Sequence, residues 1–178
     1  MDVRVANKRG GKSGAESKSG AGSVILLRHA QASWPKPGDK DIDRALDDKG
    51  REEALAIANL LKKLGIRPSR IVCSTARRCR ETLAPLETLW DEKPALEFDE
   101  ELYLGGLPTY ADMISDHTGE GTLMIIGHNP MIEDVFARMA NGQEGDFLGY
   151  PTAGLAVFSR NTPNSGPGIW KLERLYQP

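Results

Sequence analysis

Apolar positions along the chain fall into two patterns, short unbroken runs and stripes at helical spacing. The runs are Val24-Ile25-Leu26-Leu27, Ile71-Val72-Cys73 and Leu123-Met124-Ile125-Ile126. Consecutive, mostly branched apolar residues predict strands buried on both faces. Between the first two runs, Ala54, Leu55, Ala58, Leu61 and Leu64 form a helical stripe behind Asp47 or Asp48 as N-cap, and Gly65 with Pro68 closes it. A second helix is predicted from a Ser74 cap to about Trp90, with Leu83, Leu86 and Leu89 on one face and Pro85 kinking it or shortening its first half. Leu96 and Phe98 mark a short strand, and Pro108 opens a helix to about Asp116. A further helix has Pro130 as its first residue, buries Met131, Val135, Phe136 and Met139, and ends at Asn141-Gly142. Residues 154–158 and 169–175 predict two strands, the second alternating like an edge strand, and the turn-rich link 161–168 lets them pair antiparallel. Strands alternating with helices up to residue 140 predict an α/β fold: a three-layer sandwich whose mostly parallel central sheet has helices on both faces and an antiparallel edge.

Composition narrows the picture. At 178 residues, 39% hydrophobic and 27% charged, the chain predicts one globular domain, residues 24–178. Residues 1–23 are Gly-, Ser- and Lys-rich, with only Val3 and Val5 as large apolar side chains, and predict a disordered basic tail. Its Gly11-Lys12-Ser13 lacks both the earlier glycine and the preceding strand of a phosphate-binding loop. A net charge of −2 argues against a nucleic-acid surface, and no apolar run approaches the roughly 18 residues of a membrane helix. Cys73 and Cys79 have neither zinc-site spacing nor the number of a disulfide framework, so a cytoplasmic protein is expected.

The chemistry lies where the strands stop. The first run ends in Arg28-His29-Ala30, the last in Gly127-His128-Asn129-Pro130, and the second in a Ser74-to-Thr82 segment carrying Arg77, Arg78 and Arg80. Ligands of open α/β sheets bind at the carboxyl ends of strands. Adjacent helical residues diverge by about 100°, so Arg77 and Arg80 can face solvent together while Arg78 points elsewhere. Two imidazoles and several guanidiniums on one sheet edge can supply the donors that a doubly charged phosphoryl group needs. His117, near the end of its helix, reads as a C-terminal cation without chemistry.

These motifs resemble the histidine phosphatase superfamily, whose fold is also called phosphoglycerate mutase-like. Arg28-His29-Ala30 matches its Arg-His-Gly opening in the Ala form of the small SixA-type phosphohistidine phosphatases. Ser74, Arg78 and Thr82 match its Ser-x-x-x-Arg-x-x-x-Thr segment, Gly127-His128 its second Gly-His, and residues 43–50 in part its Asp-x-x-Arg-x-Leu-x-x-x-Gly segment. The resemblance implies that His29 attacks phosphorus to give a phosphohistidine that water hydrolyses, with Arg28, Arg78 and His128 as phosphate ligands and His128 also catalytic. No cofactor and no metal are required by this scheme, and a metallohydrolase reading finds no His-x-His or His-Glu-x-x-His pair.

Mutase-like relatives place a general-acid Glu after the third strand, where Glu100 and Glu101 stand in this chain; the ordinary role of such residues is a solvated acidic turn. Trp34 fits a mutase-like pattern, but Pro35 occupies the place of a phosphate-contacting Asn. The chain without its tail leaves no room for the insertions that enclose small substrates. The favoured partner is therefore a phosphorylated protein, such as a histidine phosphotransfer domain. A small phosphate ester is the alternative substrate, and a non-catalytic phosphate-binding module the alternative function.

Overall fold

The computed structural model describes residues 22–117, 120–141, 149–160 and 169–176. The expected tail up to residue 21, the turn-rich link 161–168 and Gly142 lie outside the described residues. Six strands form one sheet: β1 (Ser23–Arg28), β2 (Arg70–Ser74), β3 (Ala95–Asp99), β4 (Thr122–Gly127), β5 (Leu155–Arg160) and β6 (Trp170–Tyr176), in spatial order β3-β2-β4-β1-β5-β6. The first four are mutually parallel, whereas β5 and β6 run antiparallel at one side. The α/β sandwich with a mostly parallel sheet and an antiparallel edge is thus the fold observed.

The unbroken runs occupy the middle of the sheet because both of their faces are covered. Successive side chains of a strand point to opposite faces. Val24, Leu26, Leu123 and Ile125 therefore pack with the helices α4 (Leu107–Asp116) and α5 (Met131–Ala140), while Ile25, Leu27, Met124 and Ile126 pack with α1 (Asp48–Leu64) and α2 (Arg77–Leu83). Each fully buried aliphatic side chain of this kind contributes about 1.5–3 kcal/mol. β6 is an edge strand as its alternation predicts, and β3 is the other edge, with Leu96 and Phe98 exposed.

Local signals set most boundaries. The Asp47 side chain accepts from the Gly50 N–H at the start of α1, and Gly65 ends it in the left-handed conformation at φ 64°. Five expectations need correction. The buried stripe of α1 runs through Ala54, Ile57, Ala58 and Leu61, whereas Leu55 is 55% exposed, because steps of three and four, not one, keep to a helix face. The helix expected over 74–90 is shorter: α2 spans Arg77–Leu83, and after Pro85, which has no N–H to donate, only a 3₁₀ turn at Leu86–Thr88 follows. In α5 the fully buried position next to the start is Ile132 rather than the partly buried Met131, and Pro130 is the N-cap rather than the first helical residue. β1 begins at Ser23, within the span read as tail.

Candidate active site

The parallel register brings the motif residues together. Arg28 is opposite Gly127 and Cys73 opposite Ile126, so Ser74, His128 and His29 leave the carboxyl ends of three adjacent strands, β2, β4 and β1. Gly127 is needed there: a Cβ would lie 2.5 Å from the Tyr110 hydroxyl oxygen. The His29 N–H donates to the Gly127 carbonyl at 3.0 Å, and the two imidazole rings stand 5.2 Å apart.

The tautomer of His29 follows from its partners. Its Nδ1 lies 2.7 Å from the Ala30 carbonyl oxygen, which can only accept, so Nδ1 carries the proton. The Arg78 Nε–H donates to His29 Nε2 at 3.3 Å, and a guanidinium can only donate, so Nε2 presents its lone pair. Burial lowers the His29 pKa to about 4, reinforced by the charges of Arg78, Arg28 and Arg44 and opposed by the Ala30 carbonyl. The ring is therefore neutral at pH 7, with its Nε2 facing the cations.

His128 is 8% exposed. Burial, then the neighbouring His29 and Arg78, lower its pKa to about 3, against the opposing charge of Asp41. Ser74 Oγ lies 2.7 Å from its Nε2, and when the hydroxyl donates, the proton of the neutral ring sits on Nδ1. This corrects the expected role of Ser74: it ends β2 and holds His128, while Ala76 is the N-cap of α2 without a side-chain bond. The Cys79 thiol lies 3.5 Å from the same Nε2, and burial pushes its pKa up to about 12; Cys73 is likewise a buried free thiol.

The arginines divide as the helical geometry predicts. Arg78 is 7% exposed, whereas Arg77 and Arg80 are exposed, the former paired with Glu81 and the latter over the Phe98 ring. Arg78 Nη1 donates to the Asp41 carbonyl at 2.8 Å and Nη2 to the Asp41 carboxylate at 3.0 Å. Arg28 donates from Nη1 to the Tyr150 carbonyl at 2.6 Å, and its Nε is buried with no partner among the described residues. Thr82 ties the two halves of the pocket. Its hydroxyl accepts from the Ala30 N–H at 3.0 Å and donates to the Arg78 carbonyl at 2.7 Å. The next residue, Gln31, is fixed by Glu53 and Asp47 of the α1 start, and Gly50 lets that helix approach, since a Cβ there would lie 1.9 Å from the Gln31 carbonyl oxygen.

Glu100 and Glu101 are exposed, and among the described residues no hydrogen bond or ion pair joins either side chain to Arg28, His29, Arg78 or His128. Tyr103, further along the short helix α3 (Glu101–Leu104), reaches the site instead. Its ring is edge-on to His128 at 5.7 Å and beneath the Arg78 guanidinium at 5.8 Å, and its hydroxyl donates to Asp41 at 3.1 Å. Sequence reasoning passed over both Tyr103 and Asp41. The signal for Asp41 was the Asp-x-x-Arg-x-Leu-x-x-x-Gly pattern, which is only partly matched from Asp43 but is complete when counted from Asp41 through Arg44, Leu46 and Gly50; for Tyr103 there was the acidic turn just before it. Trp34 is 90% exposed and takes no part, and His117 lies at the far end of α4. No group of three His, Cys, Asp or Glu among the described residues is arranged to hold a metal ion. No helix among them is long and apolar enough to cross a membrane.

Comparison with known proteins places the fold in a family. Residues 24–103 match the family model of the histidine phosphatase superfamily, branch 1. An uncharacterised chloroplastic protein of Arabidopsis thaliana is 32% identical over 169 residues, covering 87% of this chain and 77% of its own. A crystal structure assigned as the phosphohistidine phosphatase SixA of Agrobacterium tumefaciens superposes with a TM-score of 0.75 at 33% identity, covering 88% of this chain and 97% of the other. The protein histidine phosphatase SixA in complex with tungstate shares the fold, with a TM-score of 0.71 at 20% identity over 86% of this chain and 95% of that one. With its motif residues gathered at three strand ends and its fold matched along almost the whole of a SixA-type structure, the chain belongs to the histidine phosphatase superfamily, branch 1, SixA type.

Proposed function

We propose that the protein is a cytoplasmic phosphatase that removes the phosphoryl group of protein-borne phosphohistidine through a covalent phosphohistidine on its own His29, without a metal. Family membership supports phosphatase activity. The observation that carries the finer reading is the His29 ring: neutral, with its proton held on Nδ1 by Ala30 and its Nε2 lone pair aimed at a buried guanidinium.

In the proposed reaction the substrate phosphoryl group lies between Arg28, Arg78 and His128, whose donors take its oxygens as charge redistributes. His29 Nε2 attacks phosphorus, and the substrate's P–N bond breaks. Its electron pair returns to the substrate imidazole, which leaves neutral when it enters protonated on its other nitrogen. Water then attacks phospho-His29, releasing phosphate. A phosphoramidate needs little help from a general acid. That fits a pocket in which Glu100 and Glu101 lie outside the hydrogen-bonded cluster.

Turnover of a phosphorylated histidine phosphotransfer domain, an aryl phosphate and several sugar phosphates, all with a chelator present, tests the proposal. A preference for phosphohistidine that survives chelation is expected. A preference for a sugar phosphate would make the protein a small-molecule phosphomonoesterase with Glu100 or Glu101 next to examine. No turnover of any of them would make it a phosphate-binding module.

A further inference from the structure

The Arg78 guanidinium is shared between the nucleophile and a carboxylate. Its Nε serves His29, while both Nη atoms serve Asp41 through the main-chain oxygen and the carboxylate. Asp41 is fixed from the other side as well. Arg44 Nη1 donates to its Oδ1 at 2.9 Å and the Tyr103 hydroxyl to its Oδ2. Although half exposed, the carboxyl is held charged. Burial pushes its pKa up, but the bonds from Arg44, Tyr103 and Arg78 and the charge of Arg78 outweigh that and hold it at about 2. With its side chain 50% exposed against 8% for Arg78, Asp41 stands on the open side of the pocket.

A guanidinium has five N–H groups, so three bonds leave two for a phosphoryl group. Asp41 therefore does not close the pocket, but a phosphoryl group bound to Arg78 has a fixed negative charge as its neighbour. The charge count is tight. Arg28, Arg44 and Arg78 face three carboxylates, Asp41 on Arg44 and Arg78, and Glu53 and Glu133 close enough to Arg28 to interact with it, so these cations carry no excess charge before a phosphoryl dianion arrives. None remains for a carboxylate or second phosphate on the leaving group.

We infer that Asp41 is the specificity-determining residue of this pocket: it disfavours phosphate esters whose leaving portion carries a negative charge of its own and favours N-phosphoryl substrates that bind with a cationic ring, such as a protonated phosphohistidine, whose imidazole then leaves neutral. The inference rests on the phosphohistidine reading for its second half only. A unit charge near a partly exposed site changes binding by roughly fivefold to tenfold.

The test compares kcat/KM of the full chain and its Asp41→Asn variant on phosphohistidine, on an aryl phosphate with an uncharged ring, and on 3-phosphoglycerate, at one pH and low ionic strength. Relative to the aryl phosphate, the variant is expected to gain about tenfold on 3-phosphoglycerate and lose about tenfold on phosphohistidine, and both shifts shrink in high salt. Asp41→Glu restores the wild-type ratios, which a merely structural role would not require. Equal changes on all three substrates would overturn the inference. If the wild type hydrolyses the aryl phosphate but not phosphohistidine, the proposed substrate is wrong, and the ratio of 3-phosphoglycerate to aryl phosphate still decides the role of Asp41. Thermal melts of both variants separate unfolding from selectivity.

Discussion

The Thr82 hydroxyl joins the loop that carries His29, the proposed nucleophile, to the helix that carries Arg78, and its removal has a calculable effect. Thr82→Val keeps the branched shape but deletes two hydrogen bonds at a site with no exposure. Losing the bond to the Arg78 carbonyl costs about 0.5–1.5 kcal/mol. The Ala30 N–H is left buried and unpaired, which costs about 1–3 kcal/mol more. For a domain of this size a destabilisation of about 2–4 kcal/mol lowers Tm by roughly 5–12 °C. Because the freed residue is Ala30, whose carbonyl holds His29 Nδ1, kcat falls as well, by about tenfold or more. Calorimetry and steady-state kinetics on Thr82→Val, with Thr82→Ser as the rescue, read both effects. A Tm within 2 °C of wild type, taken as roughly the effect of under 1 kcal/mol, together with unchanged kcat, would show that this hydroxyl does not couple the two elements.

Arg78→Ala removes a charge-assisted donor from the pocket and is expected to lower kcat/KM by about tenfold to a hundredfold and to weaken inhibition by inorganic phosphate; unchanged phosphate inhibition would count against Arg78 as a ligand. Gly50→Ala forces a methyl group against the Gln31 carbonyl and should destabilise the fold by about 1–3 kcal/mol in denaturant titrations, whereas a neutral result would mean the approach of α1 is not constrained there. His29 and His128 titrate at about 4 and about 3, below the ordinary 6.5, so on acidification the unfolded chain takes up protons first. Stability is then fully present above pH 6.5 and declines as pH falls towards 4, by up to about 1.4 kcal/mol per pH unit for each ring. On the same grounds the rate profile, once corrected for the substrate's own ionisations, should show no ionisation of the enzyme from pH 8 to 5 and fall below that as His29 takes up a proton, and an enzyme midpoint near 6.5 would contradict a neutral, buried nucleophile.

What the sequence made legible follows from how locally each feature is encoded. The runs Val24–Leu27 and Leu123–Ile126 are buried on both faces because nothing polar interrupts them, and the residues that follow, His29 and His128, inherit their place from the strands. Helical angle let Arg78 point away from Arg77 and Arg80, and the Ser-x-x-x-Arg-x-x-x-Thr pattern selected it. Other features depend on partners distant in the chain. Whether Ser74 caps a helix or holds an imidazole is decided by β4, 54 residues away in the contact it makes. Asp41 and Tyr103, separated by 62 residues, acquire their roles only when the loop after β1 and the turn after β3 meet over Arg78. The proton donor expected at Glu100 or Glu101 rested on position in the chain, and a shift of a few residues along α3 exchanges a solvent-facing carboxylate for the Tyr103 ring.

The central claim is a covalent phosphoryl group on His29 Nε2, and the most direct test is to trap it. Full-length protein mixed with a labelled phosphohistidine or aryl phosphate substrate and quenched within milliseconds should carry an acid-labile, alkali-stable label that maps to the His29 peptide. The label should be absent from His29→Ala, together with turnover. A wild-type enzyme that turns over without ever carrying label, or a His29→Ala variant of near-normal activity, would contradict the account.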